Sequence, residues 1–259
     1  MKWMRLISAW AILSVVSVTP FFAQQIPSGT ALPVMLNSSL DARNNKPGRK
    51  ISARIMQQVQ LPEGGRIPAG SRIVGHVLQV HTATASSPSR LVVKFDTLDL
   101  RGVSIPLTTS LRAVAAMTEV FEAQLPTSNF DEYGTSIADW TTVQVGGDAV
   151  YRGDGTVISP DNRVVGSATV GGDVTAKLAA VPDLGCRGSI EGNDRPQSLW
   201  VFSTSACGAF GFGDLKIAHA GRTDPLGEIV LEAPANVRVR AGSGLLLRVV
   251  ASSSLPTTP

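Results

Sequence analysis

From residue 24 onward the chain runs in short stretches where apolar and polar positions alternate, cut by turn residues, as half-buried β-strands do. Leu91, Val93 and Phe95 fall on one face, with Lys94 and Asp96 on the other. Val103, Ile105 and Leu107 repeat the pattern against Ser104 and Thr108, so LDLRG at 98–102 reads as a hairpin turn. Ile26-Pro27-Ser28-Gly29-Thr30 leads into an apolar stretch at 31–36, and Ile67-Pro68-Ala69-Gly70-Ser71 leads into RIVGHVLQV at 72–80. Pro fixes its own φ and Gly accepts φ values that branched residues refuse, so each near-repeat predicts a tight turn that launches a strand.

The alternation stops at 111–124, where LRAVAAMTEVFEAQ gains Ala, Met and Glu and predicts a helix. Residues 125–140, with Pro, Ser, Asn, Gly and scattered aromatics, read as a connecting loop where an insertion begins. Gly and Asp dominate 141–233, and Val-Gly-Gly-Asp occurs at 145–148 and again at 170–173. Two copies do not make a solenoid, and Asp154-Gly155 reads as a hairpin turn. Alternation returns at 236–240 and a last strand follows at 245–250, predicting a hairpin that must join a sheet to be stable. The pattern predicts a mainly β fold: a β-barrel or sandwich of short antiparallel strands from 24–124 and 235–259, with a disulfide-containing insertion at 125–234.

Residues 1–23 change the setting of that fold. Lys2 and Arg5 precede an uncharged run at 6–18, and Pro20 and Ala23 follow, which is the order of a signal peptide cleaved after Ala23. Membrane attachment would come only through an uncleaved leader. Removing the leader leaves 21 basic against 20 acidic residues, so the net charge of +3 is mostly the leader's. No basic run interleaved with aromatics remains, which argues against nucleic acid as a partner. Cys186 and Cys207 are the chain's two cysteines, and an exported chain with an even count pairs them as a disulfide.

The chemistry-bearing residues are few. His76 and His81 are odd-spaced and point to opposite faces of a straight strand, which does not suit a shared metal. Asp214, His219, Arg222 and Asp224 form the densest polar cluster, a candidate polar site that a hydrolase could use to orient His219 against a serine. No G-x-S-x-G accompanies it, and a hydrogen-bonded loop accounts for the same residues. Trp200, Phe202, Phe210 and Phe212 are candidate binding aromatics for a carbohydrate or peptide, or the core of the disulfide-stapled segment. Asp148, Asp154, Asp161 and Asp173 stand among glycines, but their spacing fits no EF-hand or nine-residue calcium repeat. No catalytic residue, metal ligand or cofactor is assigned from these patterns.

Three segments together, IPSGTALPVMLNSSLDAR at 26–43, EGGRIPAGSRIVGHV at 63–77 and VRVRAGSGLLLRVV at 237–250, resemble the C-terminal β-barrel of the TrbI-like family of type IV secretion and conjugation core proteins. The likeness covers about residues 26–110 and 235–250. It implies a barrel that assembles as a ring in the cell envelope, without catalysis. The expected function is therefore an exported, non-enzymatic envelope protein, located in the periplasm or cell envelope, that joins other envelope proteins or copies of itself. A secreted carbohydrate- or peptide-binding module and a secreted hydrolase centred on His219 are the alternatives.

Overall fold

The computed structural model describes residues 25–125, 141–151, 155–169, 173–182, 186, 194–220, 227–251 and 253–254. The first run comprises β1 (Gln25–Ile26), β2 (Ala31–Leu36), β3 (Leu40–Asp41), β4 (Lys50–Ile55), β5 (Val59–Gln60), a 3-10 turn (Pro62–Gly64) and β6 (Arg66–Ile67). Then come β7 (Arg72–His81), β8 (Ser89–Leu100), β9 (Val103–Pro106), β10 (Thr108–Ala115) and α1 (Met117–Glu122). Six short strands follow: β11 (Thr141–Val143), β12 (Ala149–Tyr151), β13 (Thr156–Ile158), β14 (Val164–Ala168), β15 (Val174–Lys177) and β16 (Pro196–Leu199). The last are β17 (Gly208–Phe210), β18 (Lys216–Ile217), β19 (Ile229–Ala233), β20 (Arg238–Val239), β21 (Gly244–Ala251) and β22 (Ser253–Ser254). The protein is mainly β, built from several sheets that are antiparallel except where β17 joins β10.

The two strand launches share one geometry. Gly29 at φ +82 and Gly70 at φ +80 take left-handed positions, and the amides of Thr30 and Ser71 donate to the carbonyls of Pro27 (3.2 Å) and Pro68 (3.3 Å). Arg101 (φ +51) and Gly102 (φ +85) make the expected β8–β9 hairpin turn, whose twist matches that of its strands.

The main sheet runs β17-β10-β21-β2-β4-β7-β8-β19-β18, with β9 beside β8. It is not a closed barrel, and that part of the expectation is corrected. The sheet rolls because β9 and β10 are one run interrupted at Leu107, with β9 against β8 and β10 against β21. Closure fails because β8 splays: Thr97–Leu100 pairs with β9 while Ser89–Val93 turns to β19, leaving β17 and β18 as edges. Ile73, Phe95, Leu98, Leu245 and Leu247 fill the inside of the roll.

A second sheet, β11-β12-β13-β14-β15-β16, covers the outer face of β2, β21 and β10. Ala31, Ala113, Ala115 and Leu246 meet Val145, Leu199, Val201 and Phe202 across this seam, and small side chains on the main sheet let the two layers approach. The second sheet also curls, since Val145 bridges Phe202 in parallel just beyond β16.

The seam explains two further corrections. The helix expected over 111–124 is a strand as far as Ala115, and α1 covers only 117–122. β10 is buried on both faces, and a strand covered on both sides shows no period of two. The segments at 236–240 and 245–250 are not a hairpin: β20 pairs with β3, whereas β21 lies between β2 and β10. Gly242 at φ +87 turns the chain between them, and its amide donates to the Leu36 carbonyl while the Leu36 amide donates to Ser243. The chain that leaves the main sheet is also shorter than 125–234, because β17, β18 and β19 return to it.

Candidate functional site

The predicted cysteine pair is present. Cys186 and Cys207 are bonded with Cα atoms 5.7 Å apart, and Cys207 is buried at the entrance to β17. The bond ties the connection between β15 and β16 to the start of β17 in the main sheet.

Of the polar cluster, Asp214 and His219 are described and line different hollows. Arg222 and Asp224 lie outside the described residues. Asp214 lines a groove of about 360 Å³ between the 84–88 loop and the β18 edge, with Lys216 and Glu232. His219 lines a different recess, of about 10 Å³, together with Ser110 and Glu228. That volume holds about one water, so Ser110 and His219 share no space for a substrate. The loop hydroxyls bond among themselves: Thr84 Oγ1 to Ser87 Oγ at 2.8 Å, and Ser87 Oγ to His81 Nε2 at 2.9 Å. His76 Nδ1 meets Asp96 Oδ2 at 3.1 Å across β7 and β8.

The four aromatics divide between two cores. Phe202 is wholly buried, and Trp200 and Phe210 pack against the same inter-sheet core. Phe212 packs against the other core, inside the roll. The glycine-rich aspartates also part company: buried Asp148 accepts the Thr204 amide at 2.6 Å, whereas surface Asp161 sits with Ser159 and Arg163. Asp154 lies outside the described residues. Among the described residues no group of three His, Cys, Asp or Glu side chains is placed to hold a metal, and no helix is long and apolar enough to cross a membrane.

Two features escaped the sequence reading. The first is a polar clamp in the seam, centred on Arg112, which sits 1% exposed at a β-bulge of β10. Its Nε donates to the Ala206 carbonyl (2.9 Å), and its Nη2 to those of Ala179 (3.0 Å) and Thr204 (3.1 Å). Burial, and then the like charge of Arg248, pull its pKa down to about 10. Gln144 extends the clamp, donating from Nε2 to the carbonyls of Trp200 (2.9 Å) and Phe202 (2.8 Å). With a pKa of about 10 Arg112 stays charged at neutral pH, and its donors face carbonyls, so the cluster fastens the two sheets and moves no proton.

The second feature is an apolar row on the outer face of the second sheet. Register places Val143 opposite Ala149, Ala149 opposite Ile158, and Ile158 opposite Val164. Facing residues share a face of the sheet, so four apolar side chains line up across four strands. Val143 is 42% exposed and Val164 65%, with Tyr151 beside them at 39%. Exposed apolar residues are usually scattered singly, whereas these are contiguous across four strands. Its sequence signal was the alternation in TTV, AVY and TVI, hidden by the surrounding Gly and Asp.

No family model matches this chain, and no curated protein matches it. Among solved structures it is similar to ComB10 of the Com type IV secretion system of Helicobacter pylori, over 92% of this chain and 93% of that one, at 14% identity and a TM-score of 0.34. So loose a superposition carries no argument about function.

Proposed function

We propose that this chain is an exported, non-enzymatic module of the cell envelope that works by joining protein partners, copies of itself included. The observation that carries the reading is the row Val143, Ala149, Ile158 and Val164 on the outer face of the second sheet. A face of four cross-strand apolar residues loses water when it meets another protein. Export is supported by the leader pattern at 1–23 and by the bonded cysteine pair, which suits an oxidising compartment. The strand launches at 27–30 and 68–71, which resemble those of TrbI-like core proteins, support an envelope role without catalysis.

The test is a double variant, Val143→Asp with Val164→Asp, compared with wild type by chemical crosslinking in intact cells. Both side chains point to solvent, so circular dichroism and melting should not change. Wild type should give discrete crosslinked species that the variant loses. Identical species from both proteins, or none from wild type, would refute the role of this face.

A further inference from the structure

The 3-10 turn at 62–64 with β6, and the tip of the β8–β9 hairpin, enclose a recess of about 260 Å³ lined by Gly64, Arg66, Leu100 and Arg101. We propose that this recess is an anion site that takes a phosphate group between Arg66 and Arg101.

Three observations carry the inference. Arg66 and Arg101 come from different elements, β6 and the hairpin turn, and line one hollow. Neither guanidinium has a hydrogen bond or ion pair among the described residues, whereas that of Arg54 reaches Asn37 and that of Arg90 reaches Glu232. Arg101 also occupies a left-handed backbone position at φ +51, where only Asn162 and glycines are otherwise found among the described residues. Gly, Asn or Asp fill that position more readily than Arg. Two guanidiniums that line one hollow gain from an anion standing between them.

Chemistry selects the ligand class. A guanidinium presents a planar fork of donors that matches oxyanions. Two forks from separate elements are matched more fully by the oxygens of tetrahedral phosphate, spread in three dimensions, than by the two coplanar oxygens of a carboxylate. The volume falls just under the roughly 300–1,000 Å³ of drug-sized sites, which suits a phosphate with a small appendage. Free phosphate and a lipid headgroup share this chemistry.

The experiment is a titration of the folded chain followed through its arginine Nε–H NMR signals, with inorganic phosphate and with acetate at matched ionic strength. A parallel arm uses phosphatidylglycerol vesicles against phosphatidylcholine vesicles. Phosphate should move the Arg66 and Arg101 signals and acetate should not. Binding to phosphatidylglycerol vesicles with none to free phosphate would assign the headgroup as the source, and the reverse would assign the free ion. Arg66→Gln and Arg101→Asn should each weaken binding about three- to fivefold, the reach of one exposed ion pair. Asn suits the left-handed position, so the second variant keeps the hairpin. Equal response to acetate, or affinity unchanged when Arg66→Gln and Arg101→Asn are combined, would overturn the site.

Discussion

Replacing Arg112 by Met tests the clamp between the two sheets. The substitution keeps an unbranched apolar stem in the seam but removes the donors to the carbonyls of Ala179, Thr204 and Ala206. Leaving a buried carbonyl without a donor costs about 1–3 kcal/mol. Against that loss stands relief of a buried charge. A guanidinium held at about 10, well below the ordinary arginine value, carries a penalty of roughly 3 kcal/mol in the folded state. The Thr204 carbonyl keeps the Ala179 amide as a donor, so two carbonyls are orphaned; at about 2 kcal/mol each, with about 1 kcal/mol for the third bond, the loss outweighs the relief by roughly 2 kcal/mol. The sign with pH follows from the same depression. From about pH 10 up to the ordinary arginine range the unfolded chain holds the proton that the folded chain has lost, so wild-type stability gains with rising pH in that window. Below the folded pKa the penalty is complete and flat. Denaturant melts followed by tryptophan fluorescence at neutral pH and at about pH 11 measure both effects. A variant within about 0.5 kcal/mol of wild type, the range of an ordinary surface change, would refute the clamp. So would a gap between the two proteins that narrows as the pH rises.

Two further predictions concern the frame that holds the seam. A Cβ on Gly75 would lie 1.9 Å from the Lys94 carbonyl oxygen, so Gly75→Ala must push β7 off β8 and should cost about 1–3 kcal/mol in a denaturant melt; an unchanged midpoint would show that the strands do not approach this closely. Cys207→Ser opens a loop with a sequence separation of 21, which should remove about 3 kcal/mol by loop entropy; equal midpoints for oxidised wild type and variant would contradict it.

What the sequence made legible, and what it hid, divides along burial. The Pro27–Gly29 and Pro68–Gly70 launches, the Leu91–Asp96 alternation and the Arg101-Gly102 turn were readable because local chemistry decides each one: a fixed φ, a required positive φ, or one wet and one dry face. The disulfide was readable from cysteine count and leader. The stretch at 111–115 was misread as helix because the second sheet covers β10, and no local signal reports a distant cover. Partner choice at the C-terminus was equally hidden, since β3 and β2 compete with a local hairpin that the residues alone would allow.

Of the candidate polar site, two residues are described, and burial again separates what the sequence sets close. Asp214 and His219 are neighbours in sequence yet line separate recesses, because a strand edge lies between them and nearness along a strand does not make side chains converge. Arg112 escaped because, on a helix, an arginine belongs to the wet face. The better clue was its company. LRAVA at 111–115 and LLLRVV at 245–250 are unbroken apolar runs that each carry a single arginine, and their strands lie side by side. A strand whose two faces are both apolar has no wet side to offer a charge. The guanidinium must then sit where backbone carbonyls converge, at the seam between layers, as Arg112 does. A lone arginine in such a run therefore argues for a second covering sheet before any helix is assigned.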